Sequence, residues 1–356
     1  MSSSTPLPTS APTIRGYTGE EFLNLRIPEK EALIEDLLHR RDLVAFGARR
    51  RHGKTTFALN MAVAGAIGLP EFIGYKIARP FRTLLFMLED DPGDLKAPFE
   101  KIAAGQDLYG RIRIVTREDF YREGIRIDVS EKKFRDAIRA LAREHHPDVI
   151  VFDNLAHVLG GDYSDAKKVQ ELMTVAYLLA SQENAAIIFP AHPRKQDAKN
   201  KISLEGDAEL YVEQIMGSSH FINSTGSIWA MERRDDLGHS LFMGGRQRSA
   251  GISGHRLLYK DDDGWLKVLD NAGAQLAVVV NTRQRFEAWR LLPPHPQPFG
   301  YREGEGLVKA FMRSASTFHA WIKHCRGVGV IIEVDGKLCK APGLPDMSGP
   351  GQVVPL

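Results

Sequence analysis

From position 43 onward, short apolar runs alternate with glycine-bearing turns and with stretches of helical period. Five runs predict buried strands: LVAF (43–46), TLLFML (83–88), VIVF (149–152), AIIFP (186–190) and SIWAM (227–231). Between them, apolar residues recur at helical spacing. Phe57, Met61 and Ala64 share one face, Phe134, Ile138 and Leu141 another, and Val169, Leu172, Met173, Ala176 and Leu179 a third, with Ser164 and Asp165 placed to cap the last. Strands that are apolar throughout and separated by helices predict an α/β fold, a mostly parallel sheet covered by helices on both faces. That domain is expected over residues 30–268.

After Trp265 the texture changes. Residues 281–340 carry ten Lys and Arg against five Asp and Glu, broken by the proline-rich LLPPHPQPFG. The expected division is a flexible leader over 1–29, a linker over 269–300, a small helical module over 301–341 and a loose tail over 342–356. At 356 residues the chain exceeds what one core usually serves, which fits a large domain plus a smaller one. Hydrophobic content of 43% excludes a mostly disordered chain. The N-terminus lacks a basic segment followed by an apolar run, so it reads as a leader and not as a signal peptide. No uninterrupted apolar stretch reaches membrane-span length, so no membrane association is expected. Two cysteines, Cys325 and Cys339, point to a reducing, cytoplasmic setting. Forty-seven basic residues nearly balance 45 acidic ones, so net charge selects no partner and chemistry must be sought in local clusters.

The strongest local signal is LVAFGARRRHGKTTFALNMA, an apolar strand running into Ala48-x-x-x-x-Gly53-Lys54-Thr55 and then a helix. Here the backbone N–H groups from Gly47 through Ala48, Arg49, Arg50, Arg51, His52 and Gly53 to Thr56 would cradle phosphate, with the helix N-terminus adding its dipole. Lys54 would reach the β- and γ-phosphates and the Thr55 hydroxyl would bind Mg²⁺, which makes ATP and Mg²⁺ the expected cofactors. The Arg49–Arg50–Arg51 triplet is unusual; it suits a neighbouring subunit, nucleic acid or plain solvent equally. About a hundred residues on, DVIVFDN sets Asp153 at a strand end, where a second carboxylate would help hold the metal. Between them LLFMLEDDP offers Glu89, Asp90 and Asp91. Glu89 is the first choice as general base for the attacking water, with Asp90 and Asp91 next.

A phosphate loop, a Glu after the next strand, an Asp at a third and a polar residue after a fourth together resemble the RecA-type ATPases. That resemblance implies that His192, in FPAHPRK, senses the γ-phosphate and signals to DNA-binding loops. More narrowly, LEDDP together with VIVFDNLAHVLGGDYSDAKKVQELMTVAYLLASQENAAIIFPAHPRK looks like the plasmid RepA-type hexameric replicative helicases, compact relatives of DnaB helicase, over roughly residues 20–268. The loop departs from that family, which usually carries Pro, Gly or Ser where the arginines stand; the departure bears on nucleotide affinity. The DnaB-like class also implies that Arg246 and Arg248, in MGGRQRSAG, project into the next subunit's nucleotide site. The alternative is a solvated basic strand end.

Two further segments are candidates for DNA contact. HPRKQDAKNKIS sets Arg194, Lys195, Lys199 and Lys201 against a single Asp197, and a loop there would face the channel of a RecA-type ring and track a single strand; a solvated loop is the plain alternative. The region from Glu303 onward reads as helix, turn, helix (316–326) and a hairpin turning at Asp335-Gly336. It resembles a winged helix-turn-helix whose Arg313, Lys323, Arg326 and Lys337 would meet duplex phosphates, or which would dock protein. The expectation is a hexameric, ATP-driven helicase or translocase on single-stranded DNA in plasmid, phage or mobile-element replication, with replication or mobile-element proteins as partners. Its rivals are a RecA-like ATPase switch or loader without processive unwinding, and a DNA-binding regulator that only senses nucleotide.

Overall fold

The computed structural model describes residues 16–26, 30–160, 165–192, 204, 211, 221, 224–234, 238–244, 254–261, 263–268, 283–312, 314–327, 330–342 and 344. The chain divides into two units, Met1–Glu31 and Ala32–Leu356. The first contains a short helix, α1 (Gly19–Leu23), closed by a capping box in which Thr18 and Glu21 exchange side-chain bonds with each other's backbone N–H. A helix therefore stands within the segment read as leader.

The second unit is built on nine strands. Six are parallel, in the spatial order β10 (Ser227–Arg234), β3 (Leu43–Ala48), β9 (Ala186–Ala191), β8 (Val149–Asp153), β6 (Thr83–Met87) and β7 (Ile112–Thr116). Beyond β10, three antiparallel strands extend the sheet: β11 (Gly238–Gly244), β12 (Gly254–Lys260) and β13 (Leu266–Val268). Two small hairpins, β1 (Ala32–Ile34) with β2 (Leu38–His39) and β4 (Glu71–Phe72) with β5 (Tyr75–Lys76), lie outside it. All five predicted strands are present, each reaching the predicted run within three residues at either end.

Alternation along the strands explains the two-sided cover. Leu43 and Ala45 of β3 and Ile150 and Phe152 of β8 enter one core. They meet Phe120 of α4 (Arg117–Arg122), Phe134 and Ile138 of α5 (Lys132–His145), and Val169, Leu172 and Met173 of α7 (Ala166–Gln182). Val44 and Phe46, and Val149 and Val151, enter the other, with Phe57 and Met61 of α2 (Lys54–Ile67) and Leu95 of α3 (Pro92–Ala103). On the first face Phe86, Phe152 and Phe189 stack in succession, with ring centroids 4.9 Å and 5.6 Å apart. The periodicity needs one adjustment. In α5 the third buried position is Ala142, one residue beyond the half-buried Leu141.

Helix α2 is buried on every side from Phe57 to Ala66, rather than on one face. Gly65 is what admits this: a Cβ there would lie 2.1 Å from the Phe81 ring. On the same helix the buried Asn60 donates to the carbonyl of Gly264 (3.1 Å) and accepts from the N–H of Leu266 (2.9 Å), which ties the start of β13 to α2. At the head of α7 the Asp165 side chain accepts from the N–H groups of Lys167 and Lys168, as expected of a cap, whereas Ser164 lies outside the described residues.

Past the sheet come helices Arg283–Leu291, Tyr301–Val308 and Ala315–Gly327 and a hairpin of β14 (Ile331–Val334) and β15 (Lys337–Lys340), turning at Asp335-Gly336 with positive φ at both residues. The segment read as linker contributes to this cluster. Ala288, Trp289, Leu292 and Phe299 pack with Phe318, Trp321, Ile322 and Leu338, because RQRFEAWRL turns a narrow apolar edge inward despite its three arginines. Both cysteines are buried and free. Among the described residues no helix is long and apolar enough to cross a membrane.

Candidate active site

Four adjacent parallel strands end at one edge of the sheet, and their C-terminal ends carry the site. From β3 the chain enters the phosphate loop and then α2, whose N-cap Gly53 sits at φ 91°, a conformation that favours a residue without a Cβ. Arg51 also has positive φ, at 63°. The turn directs Lys54 back across the loop, where its ammonium donates to the Ala48 carbonyl (3.0 Å) and to His192 Nδ1 (2.9 Å). His192 follows β9, and its Nε2 donates to Glu89 Oε2 at 2.9 Å. Glu89 lies two residues beyond β6. Lys54, His192 and Glu89 thus form one continuous chain of polar contacts.

The acids of LEDDP separate by role. Asp91 caps α3 through the N–H of Gly93 (3.0 Å), with Pro92 at the first helical position. Asp90 Oδ2 lies 3.3 Å from the Thr55 hydroxyl, and Glu89 alone reaches His192. At the end of β8, the buried Asp153 accepts from Thr55 Oγ1 through Oδ2 at 2.7 Å. Its other oxygen, Oδ1, is buried with no hydrogen-bond partner among the described residues. An unpartnered carboxylate oxygen beside a hydroxyl is the oxygen donor set a hard divalent cation takes, so Thr55 and Asp153 fit Mg²⁺. Mg²⁺ bound there would neutralise charge on the β- and γ-phosphate oxygens.

Electrostatics follow from burial and pairing. Burial lowers Lys54 from 10.5 to about 8, against the pull of Asp153, Glu89 and Asp90 towards the charged form. The hydrogen bond from His192 leads the causes that hold Glu89 at about 2, against an opposing push from burial; the amide of Asn154 and the charge of Lys54 add to the lowering. Burial pushes Asp153 up, opposed by the Thr55 bond and Lys54. Glu89 is therefore ionised at neutral pH.

The arginine triplet divides. Arg49 is internal: its guanidinium stands 3.4 Å from Glu232 on β10 and 5.6 Å from the centre of the Tyr211 ring, whereas Arg50 and Arg51 are exposed. Glu232 also accepts from the backbone N–H of Leu204 (2.7 Å), and His52 Nδ1 accepts from the N–H of Arg233 (3.0 Å). The phosphate loop is thus pinned to β10 on its outer side. Sequence reasoning missed Glu232 because the expected strand stopped at Met231, where apolar residues give way to ERR. It also missed Asn154, whose amide donates a short hydrogen bond to Glu89 Oε2; the signal for it is an Asn directly before Leu155, the start of the short helix α6 (Leu155–Val158).

Lys54, Thr55, Glu89, Asp153 and His192 are thus brought together. Arg246, Arg248, Arg194, Lys195, Lys199 and Lys201 lie outside the described residues. So does Arg313, while Lys323 and Arg326 line a recess of about 800 Å³ with Tyr301, Arg302, Glu305 and His319. Arg326 is paired with Glu333 at 2.7 Å.

A protein-family model described as an AAA domain matches residues 11–198, just over half of the chain. No curated protein matches. Among solved structures, the chain is similar to a KaiC-like protein from the hyperthermophilic archaeon Pyrococcus horikoshii, at 16% identity over 66% of this chain and 93% of that one, with a TM-score of 0.43.

Proposed function

The chain belongs to the AAA domain family, and from that premise we propose that it is a RecA-like P-loop ATPase, an ATP-driven ring helicase or translocase on single-stranded DNA. The observation that carries the nucleotide chemistry is the meeting of Lys54, Thr55, Asp153, Glu89 and His192 at the ends of four adjacent strands. In this reading Lys54 neutralises the β- and γ-phosphates, and Thr55 and Asp153 hold the metal. Glu89 takes a proton from water while the water oxygen bonds to the γ-phosphorus, and the bond to the β–γ bridging oxygen breaks to release ADP and phosphate. His192, at the exit of β9, touches both Lys54 and Glu89. A phosphate drawing on Lys54 therefore changes the footing of the residue from which the basic segment 194–201 begins. Coupling to DNA through Arg194, Lys195, Lys199 and Lys201, with Arg246 and Arg248 acting on a neighbour's nucleotide in a hexameric ring, extends the resemblance to RepA-type helicases. Replication of a plasmid, phage or mobile element in the cytoplasm is the setting that resemblance suggests.

The Glu89–His192 pair favours a second reading, a DNA- or partner-gated ATPase switch or loader, because the carboxylate read as the base is tied through Oε2 to the residue next to the basic segment. Strand displacement on a forked duplex with ATP separates the two. A motor unwinds the fork, whereas a switch hydrolyses ATP without displacing a strand. Electron microscopy of the protein with a non-hydrolysable ATP analogue and oligo-dT tests the ring; a monomer with full DNA-stimulated turnover sinks it.

A further inference from the structure

Strands β6 and β8 are hydrogen-bonded neighbours in parallel register, with Met87 opposite Asp153. The residues that leave their ends, Glu89 and Asn154, consequently emerge side by side. Asn154 is 2% exposed, and its amide has no freedom to turn. Its Oδ1 accepts from the N–H of Ala156 at 2.9 Å, capping α6, so the atom facing the neighbouring strand is Nδ2. That nitrogen donates to Glu89 Oε2, the same oxygen that accepts from His192 Nε2. Two donors converge on one carboxylate oxygen, and Oε1 carries no hydrogen bond among the described residues.

From this we infer that Asn154 is a positioning residue for hydrolysis: its amide fixes the Glu89 carboxylate so that Oε1 is the oxygen presented to the attacking water. The inference rests on the reading of Glu89 as general base. The physical reason is geometric. A carboxylate on a flexible glutamate side chain samples rotations about its last bond, and a base that must meet one water loses rate when that rotation is free. His192 is not dedicated to this task, because the same imidazole also accepts from Lys54. Asn154, locked by its cap, is the donor that stays. Its neighbour Asp153 accepts from Thr55, so two consecutive residues at one strand end contact the hydroxyl that would hold the metal and the carboxylate read as the base.

Asn154→Asp tests this in the full chain, because aspartate still accepts from Ala156 and keeps the cap while losing the donor. Asn154→Ala removes both. The expected result for Asn154→Asp is a fall in kcat of roughly tenfold to a hundredfold. KM and the affinity for a fluorescent ATP analogue should stay within about twofold, the pattern of an interaction made to the base rather than to bound substrate. In a Glu89→Gln chain, which has no carboxylate left to orient, adding Asn154→Asp should cost nothing further in single-turnover hydrolysis. Wild-type turnover in Asn154→Asp alongside an inactive Glu89→Gln overturns the inference and leaves the base in place. An equal loss in both backgrounds, or a loss of nucleotide affinity in parallel with kcat, assigns Asn154 a structural role and also overturns it. Wild-type hydrolysis by Glu89→Gln itself overturns the reading of the base, and the inference with it.

Discussion

Lys54 has three ammonium hydrogens, and two are directed at Ala48 and His192. Lys54→Ala should abolish nucleotide binding and turnover together, measured by analogue fluorescence and phosphate release. Glu89→Gln should bind nucleotide as before while hydrolysis falls by on the order of a hundredfold or more, the loss of a general base. Glu89 also has a signature in stability. A carboxylate held at about 2 against an ordinary 4.5 stabilises the fold above about 4.5, and that contribution is lost as pH falls through about 2. The melting temperature of Glu89→Gln should accordingly lie below that of the wild type at neutral pH, and the gap should narrow as pH falls from about 4.5; a gap constant with pH would place Glu89 outside that pairing. Residues joined by short sequence logic were legible at this scale. Gly53, Lys54 and Thr55 are one motif, and Asp153 ends an apolar run. Asn154 and Glu232 were not, since their meaning lies in partners 65 and 183 positions away across the sheet.

The central strands were legible because both their faces are buried, which makes the sequence apolar at every position. Strand β7 was overlooked: IRIVT is half-buried at the parallel edge and carries Arg113, which reaches Glu144 on the surface. The antiparallel strands were overlooked for a related reason, since GHSLFMG and GHRLLYK mix polar and apolar residues. In the helices, spacing located the buried face but not its width. Nothing in TTFALNMAVAGAI says that α2 is covered all round, because the cover comes from Phe81, which is fully buried against Gly65. Gly65→Ala should therefore destabilise by about 1–3 kcal/mol, the cost of overpacking a filled core. Adding Phe81→Leu in the same chain should recover part of that loss, read from denaturant midpoints. If Gly65→Ala is neutral, the ring yields freely and the packing account of this glycine is wrong.

Across the whole molecule, the expectations that matter for assembly and DNA rest on the segments 193–203 and 245–253. Arg248→Ala should leave nucleotide binding and assembly intact while turnover falls strongly, and mixing it with Lys54→Ala subunits should restore some activity through intact composite sites. Replacing Lys195, Lys199 and Lys201 by Ala should weaken single-stranded DNA binding for every sequence alike. The log–log salt slope should drop by about 0.7 for each phosphate that is no longer neutralised; an unchanged slope would shift attention to the basic C-terminal helices.

Strand β11 pairs with β12, and β12 pairs with β13, whose first residues are lashed by Asn60 to the helix that begins at Lys54. In mechanical terms this is a stiff linkage with no slack. The sheet edge cannot slide along α2 without breaking two hydrogen bonds of Asn60, one buried and one part-buried, each worth about 1 kcal/mol net. Torque applied at the outer strands is therefore borne at the root of the phosphate loop as well, and a push on the phosphate loop reaches the far edge of the sheet through a buried asparagine.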